Sequence, residues 1–155
     1  MRREEREVVG IENIFDILNR CDTIRVAMKD GVYPYVIPMT FGCELEDGKI
    51  VIYFHSAGTG HKWECLNSDP HVCVEADLYY QVKKQENGDI TAVYESVIGF
   101  GIAERLTEQT EKVAGLRSML MHYKESGFPV TSCKGLSRVE VFKIVLTNVS
   151  GKHNL

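Results

Sequence analysis

The chain has 155 residues, 44% hydrophobic and 26% charged, which suits a single soluble domain (1–155) with a real core. A net charge of −4 removes the electrostatic case for a nucleic-acid partner, and no apolar run approaches membrane-spanning length. Met1-Arg-Arg-Glu-Glu is no signal peptide, and five cysteines (Cys21, Cys43, Cys65, Cys73, Cys133) with no C-x-x-C pair read as reduced thiols of a cytoplasmic protein, several of them in strand-like runs that favour burial.

Residues 2–7 are charged and read as a frayed start. Ile11, Ile14, Phe15 and Leu18 recur at helical spacing and predict a short amphipathic helix ending near Asn19. Thr23 to Lys29 alternates as a strand, and Asp30-Gly31 signals a hairpin. The next strand is expected over Tyr33 to Leu45, with Tyr35, Ile37, Met39 and Phe41 on one face. Pro38 lies inside it and cannot donate to a ladder, so this strand belongs at an edge or is bent there. Asp47-Gly48 makes a second turn, and Ile50 to His55 reads as a strand.

A short helix is expected from His61, stopped by Asn67-Ser68-Asp69-Pro70, with Trp63 and Leu66 on one face. His71 to Tyr79 and Thr91 to Leu106 read as strands flanking the turn Glu86-Asn87-Gly88-Asp89. On the second of these, Tyr94, Ser96, Ile98, Phe100 and Ile102 share a face. Gly99 and Gly101 mark a bend or a close approach. Thr107 is a suitable N-cap for a helix whose apolar stripe is Val113, Leu116, Leu120 and Tyr123, with Met119 and Met121 as packing residues. Lys124 to Ser137 reads as a loop and Arg138 to Val149 as the last strand. Six strands joined by hairpin turns predict a mainly β fold: an antiparallel six-stranded barrel with small helices at its rim.

The stretch from Tyr35 to Leu66 carries the functional signal. It brings Y-P-Y-V-I-P-M-T-F and I-V-I-Y-F-H-S-A-G-T-G-H-K-W-E-C-L to one glycine-spaced turn. Gly58 and Gly60 allow backbone N–H groups close to an anion, and the helix N-terminus that follows adds unpaired donors. Lys62 adds a positive charge, and Ser56 and Thr59 offer hydroxyls. The spacing is neither that of a P-loop nor that of a Rossmann fingerprint. Taken on spacing alone, the turn also reads as an ordinary strand-to-helix loop with a solvated lysine.

P-Y-V-I-P-M-T-F followed by I-Y-F-H-S-A-x-x-G-x-K-x-x-x-L resembles the pyridoxamine 5′-phosphate oxidase-like flavoproteins, in the branch of the 5-nitroimidazole resistance proteins. The similarity runs from about Ile11 to Lys152 and includes a closing Gly151-Lys152. The resemblance implies a split β-barrel that binds FMN at a homodimer interface. It implies ring contacts from Ile37, Pro38, Met39 and Thr40, and phosphate contacts from Ser56 and Lys62. Phe54 and His55 fall beside these, His55 with a role in chemistry at the flavin. Ser96 and Val97 would contribute across the dimer, and Lys152, in the closing motif, would also contact the cofactor. Lys152 reads equally as a solvated tail lysine, and His61 as a phosphate contact or a solvated histidine.

The implied activity is electron transfer from reduced FMN to a small planar acceptor such as a nitroimidazole. The alternative is a flavin-binding or storage protein without turnover. The superfamily also holds deazaflavin and haem binders, and the arginine-rich substrate signature of true pyridoxamine phosphate oxidases is missing. With no C-x-x-C or H-x-x-x-H pair, no metal site is expected.

Overall fold

The computed structural model describes residues 3–132 and 134–155, so the expectation of a reduced thiol at Cys133 falls outside the described residues. A 3₁₀ turn (Glu4–Arg6) leads into β1 (Glu7–Val8) and α1 (Ile11–Arg20). Then come β2 (Ile24–Asp30), β3 (Tyr33–Met39), β4 (Gly42–Glu46) and β5 (Lys49–Ala57). Next are α2 (His61–Ser68), β6 (His71–Lys84), β7 (Ile90–Arg105), α3 (Gln109–His122), β8 (Val139–Val145) and β9 (Thr147–Asn154).

Among the described residues, nine strands replace the expected six. Two expected strands are each divided, and β1 is added by pairing with β9. The first break is at Thr40–Phe41, where the Phe41 N–H leaves the ladder and donates to the Tyr123 hydroxyl (3.1 Å). The second is at Leu146, whose N–H donates to the Ile50 carbonyl (2.9 Å), followed by Asn148 at φ 47°. Gly151-Lys152 therefore lies within β9 rather than after the last strand.

The strand path runs β3-β2-β6-β7-β8-β5-β4, and every pairing is antiparallel. β3 and β4 end the path without pairing to each other, so the barrel is open there. Pro38 thus sits on an edge strand, as its missing N–H demands.

The main core fills the barrel. Ile24, Val26, Ile50, Ile52, Phe54, Val74, Val97 and Ile144 point inward, and Ile14, Ile17 and Leu18 of α1 cover one end. The opposite face of β5 is buried too, with Val51 and Tyr53 packing against Val141, Leu106 and Met119. A strand covered on both faces loses its polar alternation, which explains the continuous apolar run in its sequence.

Helix α3 departs from its expected stripe. Its buried face is Gly115, Ser118 and Met119, while Leu116 and Leu120 are half-buried and Met121 is exposed. The close approach of β4 is the reason. A Cβ on Gly42 would lie 2.5 Å from both the Met119 nitrogen and the Ser118 carbonyl carbon, so the contact accepts only small residues. The N-cap of α3 is Glu108 rather than Thr107, with no side-chain cap. Among the described residues, no helix is long and apolar enough to cross a membrane.

Candidate anion and ring site at the open edge of the barrel

Gly60 sets the geometry of the turn after β5. Its φ of 98° is closed to residues with a Cβ, and it caps α2 from the N-terminal side. The first backbone bond of the helix runs from the Glu64 N–H to the Gly60 carbonyl (3.1 Å). The N–H groups of His61, Lys62 and Trp63 therefore have no partner within the helix, and they face the end where the peptide dipoles are positive. Trp63 and Leu66 turn inward onto the core, as expected. The Arg105 guanidinium stands 5.1 Å from the Trp63 ring.

Lys62 folds back from this turn toward the end of β3. Its Nζ lies 3.4 Å from Met39 Sδ, and it makes no ion pair among the described residues. Burial lowers the Lys62 pKa from its ordinary value. A half-buried cation facing a thioether is held at an electrostatic loss unless an anion joins it.

His55 leaves β5 on the face opposite Phe54. Partial burial and, after it, the Lys62 charge lower its pKa, which favours the neutral imidazole. The ring borders an open apolar groove of about 450 Å³ lined by Leu116, Leu120, Phe128, Pro129 and Val130. Sequence reading assigned the Phe128 to Val130 segment only to a loop. Its apolar content around Pro129 was the available signal.

The remaining site candidates separate into two groups. Ile37 is half-buried, Pro38 and Thr40 are exposed, and Met39 is buried at the barrel's open edge. Ser56 is buried, and its hydroxyl donates to the Ala57 carbonyl (2.8 Å) rather than outward. Phe54 is a core residue stacked on Phe142 at 5.1 Å. In the second group, Ser96 stands opposite Lys152 in the β7–β9 register, and Lys152 Nζ lies 5.8 Å from the Tyr94 ring. Val97 points into the core and can offer a ligand only its backbone. Strands β2 and β6 stand between β3 and β7. At about 4.8 Å per strand, the β3 residues and the β7 residues lie roughly 14 Å apart along the sheet.

The family model for pyridoxamine 5′-phosphate oxidase matches residues 11–153. The chain belongs to the pyridoxamine 5′-phosphate oxidase family. Among solved structures, this family member is similar to a protein of Bacteroides thetaiotaomicron described as a candidate 5-nitroimidazole antibiotic resistance protein. That likeness has a TM-score of 0.84 at 28% identity, over 94% of this chain and 85% of the other. It shares its fold with the flavocytochrome Anf3 of Azotobacter vinelandii (TM-score 0.79, 18% identity, 100% of this chain and 72% of the other). The FAD and haem binding protein of Mycobacterium smegmatis has the same fold (0.80, 17%, 96% and 73%). Comparison with curated proteins returned no match.

Proposed function

We propose that this chain is a flavoprotein that binds FMN and passes electrons to a small planar acceptor such as a nitroimidazole. The observation that carries the reading is Lys62, a half-buried cation without a carboxylate partner beside three free N–H groups of α2. A phosphate supplies the missing anion. One cation at one helix end suits a terminal monophosphate. The names of two structural neighbours, a flavocytochrome and an FAD and haem binding protein, support a flavin in this fold.

The chain's own residues take defined parts. Lys62 and the first turn of α2 hold the phosphate. The edge of β3 facing away from β2 leaves backbone groups of Ile37 to Thr40 free to pair with a ring edge. FMN, when bound, supplies the reversible electron uptake that no side chain offers. The apolar groove beside His55 offers a surface to a flat apolar molecule. The His55 ring can accept a proton at its free nitrogen there and, once protonated, return it.

The proposal includes a homodimer. On β7, Ile98, Phe100 and Ile102 are 42%, 48% and 53% exposed, so they do not fill the barrel. Phe100 and Ile102 border an open groove of about 800 Å³ that also involves Val72 and Val145. A contiguous apolar face of this kind marks an interface. Twofold symmetry would let Ser96 and Lys152 of one copy complete the site around Lys62 of the other.

The experiment is a spectrum followed by turnover. Purified protein should be yellow, bleach on anaerobic reduction, and recover its colour when a nitroimidazole is added. A yellow protein that stays bleached in the presence of acceptor would indicate flavin binding without this activity.

A further inference from the structure

We propose that Asp30, His61 and Cys65 form a three-ligand site for a thiophilic divalent cation, with zinc as the reference ion and a fourth position open to solvent. Helix α2 sets His61 and Cys65 one turn apart on the same face. The β2–β3 hairpin brings Asp30 to them through Gly31, at φ 56°. The edge of the His61 ring packs against Tyr35, with centroids 4.8 Å apart at 70°, which fixes its tilt.

The donor atoms already stand close to one another. His61 Nε2 lies 3.7 Å from Cys65 Sγ and 2.7 Å from Asp30 Oδ2, and all three lie within 4.8 Å of one another. Zinc bonds of about 2.3 Å to sulfur and about 2.1 Å to nitrogen and oxygen, at tetrahedral angles, require roughly 3.6 Å for S–N and 3.4 Å for N–O. The S–N separation matches. The N–O separation is that of the hydrogen bond a cation would replace, and the exposed Asp30 carboxylate is free to open it.

Three further observations favour a cation. Cys65 Sγ has no polar neighbour except His61 Nε2 among the described residues, whereas Cys21 donates to the Ile17 carbonyl and Cys43 to Asn19. The other ring nitrogen, His61 Nδ1, lies 3.7 Å from Glu64 Oε2, a carboxylate placed to orient a ligating imidazole. The surrounding cleft of about 320 Å³ contains Asp30, Glu64 and Asp69 against Lys29 alone, and Lys29 Nζ is held 3.8 Å from Asp69. A thiolate, an imidazole and a carboxylate together suit zinc or cobalt and not calcium or magnesium. The sequence signal was H-x-x-x-C at 61 and 65, a spacing outside the C-x-x-C and H-x-x-x-H patterns that gave the expectation of no metal. Lys62, the next residue, turns away toward Met39, so this cluster is separate from the anion site and does not rest on the flavin reading.

The test titrates chelator-treated full-length protein with Co²⁺, both with and without added FMN. The expected result is one equivalent bound, with a thiolate-to-cobalt charge-transfer band and intense visible bands of four-coordinate cobalt, all reversed by Zn²⁺. Cys65→Ser should abolish the charge-transfer band, and Cys73→Ser should keep it. Asp30→Asn, at an exposed hairpin where folding is not at risk, should weaken Zn²⁺ binding at least tenfold. No charge-transfer band in the parent protein, a band that survives Cys65→Ser, or unchanged affinity in Asp30→Asn would overturn the proposal. The outcome is read on the metal alone, so it stands whether or not FMN binds.

Discussion

The 3.4 Å approach of Lys62 Nζ to Met39 Sδ joins two segments that are 23 residues apart in sequence. It ties the glycine-spaced turn before α2 to the end of β3, at the place where the strand path of the barrel stays open. A thioether is a poor partner for an ammonium group. On the proposed reading, an anion would join Lys62 here, since the contact itself is no stabilising pair.

Removing that charge should weaken phosphate binding. A charge-assisted hydrogen bond contributes about 1.5–3 kcal/mol, so Lys62→Ala should raise the FMN dissociation constant at least about tenfold. Fluorescence titration of apoprotein with FMN measures it. Equal affinity in parent and variant would move the phosphate elsewhere.

The outward face of β7 should hold two copies together. Placing a charge there, as in Phe100→Glu, should convert a dimer into a monomer and release flavin, with the thermal transition still cooperative. Sedimentation at low concentration reads the first effect and absorbance the second. A monomer that keeps one FMN per chain would contradict the shared site.

Much of this arrangement was legible in the sequence, for identifiable reasons. The hairpin turns at Asp30-Gly31 and Asp47-Gly48, the helix at Ile11 and the edge position of Pro38 all follow from local chemistry, and the structure has each of them. The strand breaks at Phe41 and Leu146 did not show, because each depends on a distant hydrogen-bond partner, Tyr123 and Ile50. The buried face of α3 was misjudged for a similar reason. Apolar periodicity favoured Leu116 and Leu120, but the close approach of Gly42 selects Gly115 and Ser118. Within the candidate site, Lys62 and His55 were singled out by the turn and the resemblance. The inward turn of Phe54, Ser56 and Val97 became clear only from strand register.

That Gly42 contact yields a stability prediction. Gly42→Ala should destabilise the fold by about 1–3 kcal/mol, the usual cost of overpacking, since the atoms it would strike are helix backbone. Urea unfolding of the variant checks this. A loss below about 0.5 kcal/mol would mean that α3 can move away freely.

Acid should act through Glu95. This buried carboxylate accepts a hydrogen bond from Arg20 (2.5 Å) and another from the Tyr80 hydroxyl (2.5 Å). Arg20, with Tyr80 after it, holds the Glu95 pKa below its ordinary value. The unfolded chain therefore binds this proton more readily, so the contribution is present above the ordinary glutamate pKa and is lost as pH falls through the lowered one. The Arg20 side chain is 41% exposed, which limits the pair to about 1.5 kcal/mol. Arg20→Ala should cost about that much at pH 7 and flatten the fall in stability below pH 4.5. Chemical denaturation across that range measures both, and a variant with an unchanged acid profile would contradict the assignment.

The most direct test of the flavin proposal is to denature the purified protein and identify by mass the small molecule it releases. The account predicts FMN, one per chain. Release of FAD, a deazaflavin, haem or nothing would contradict it.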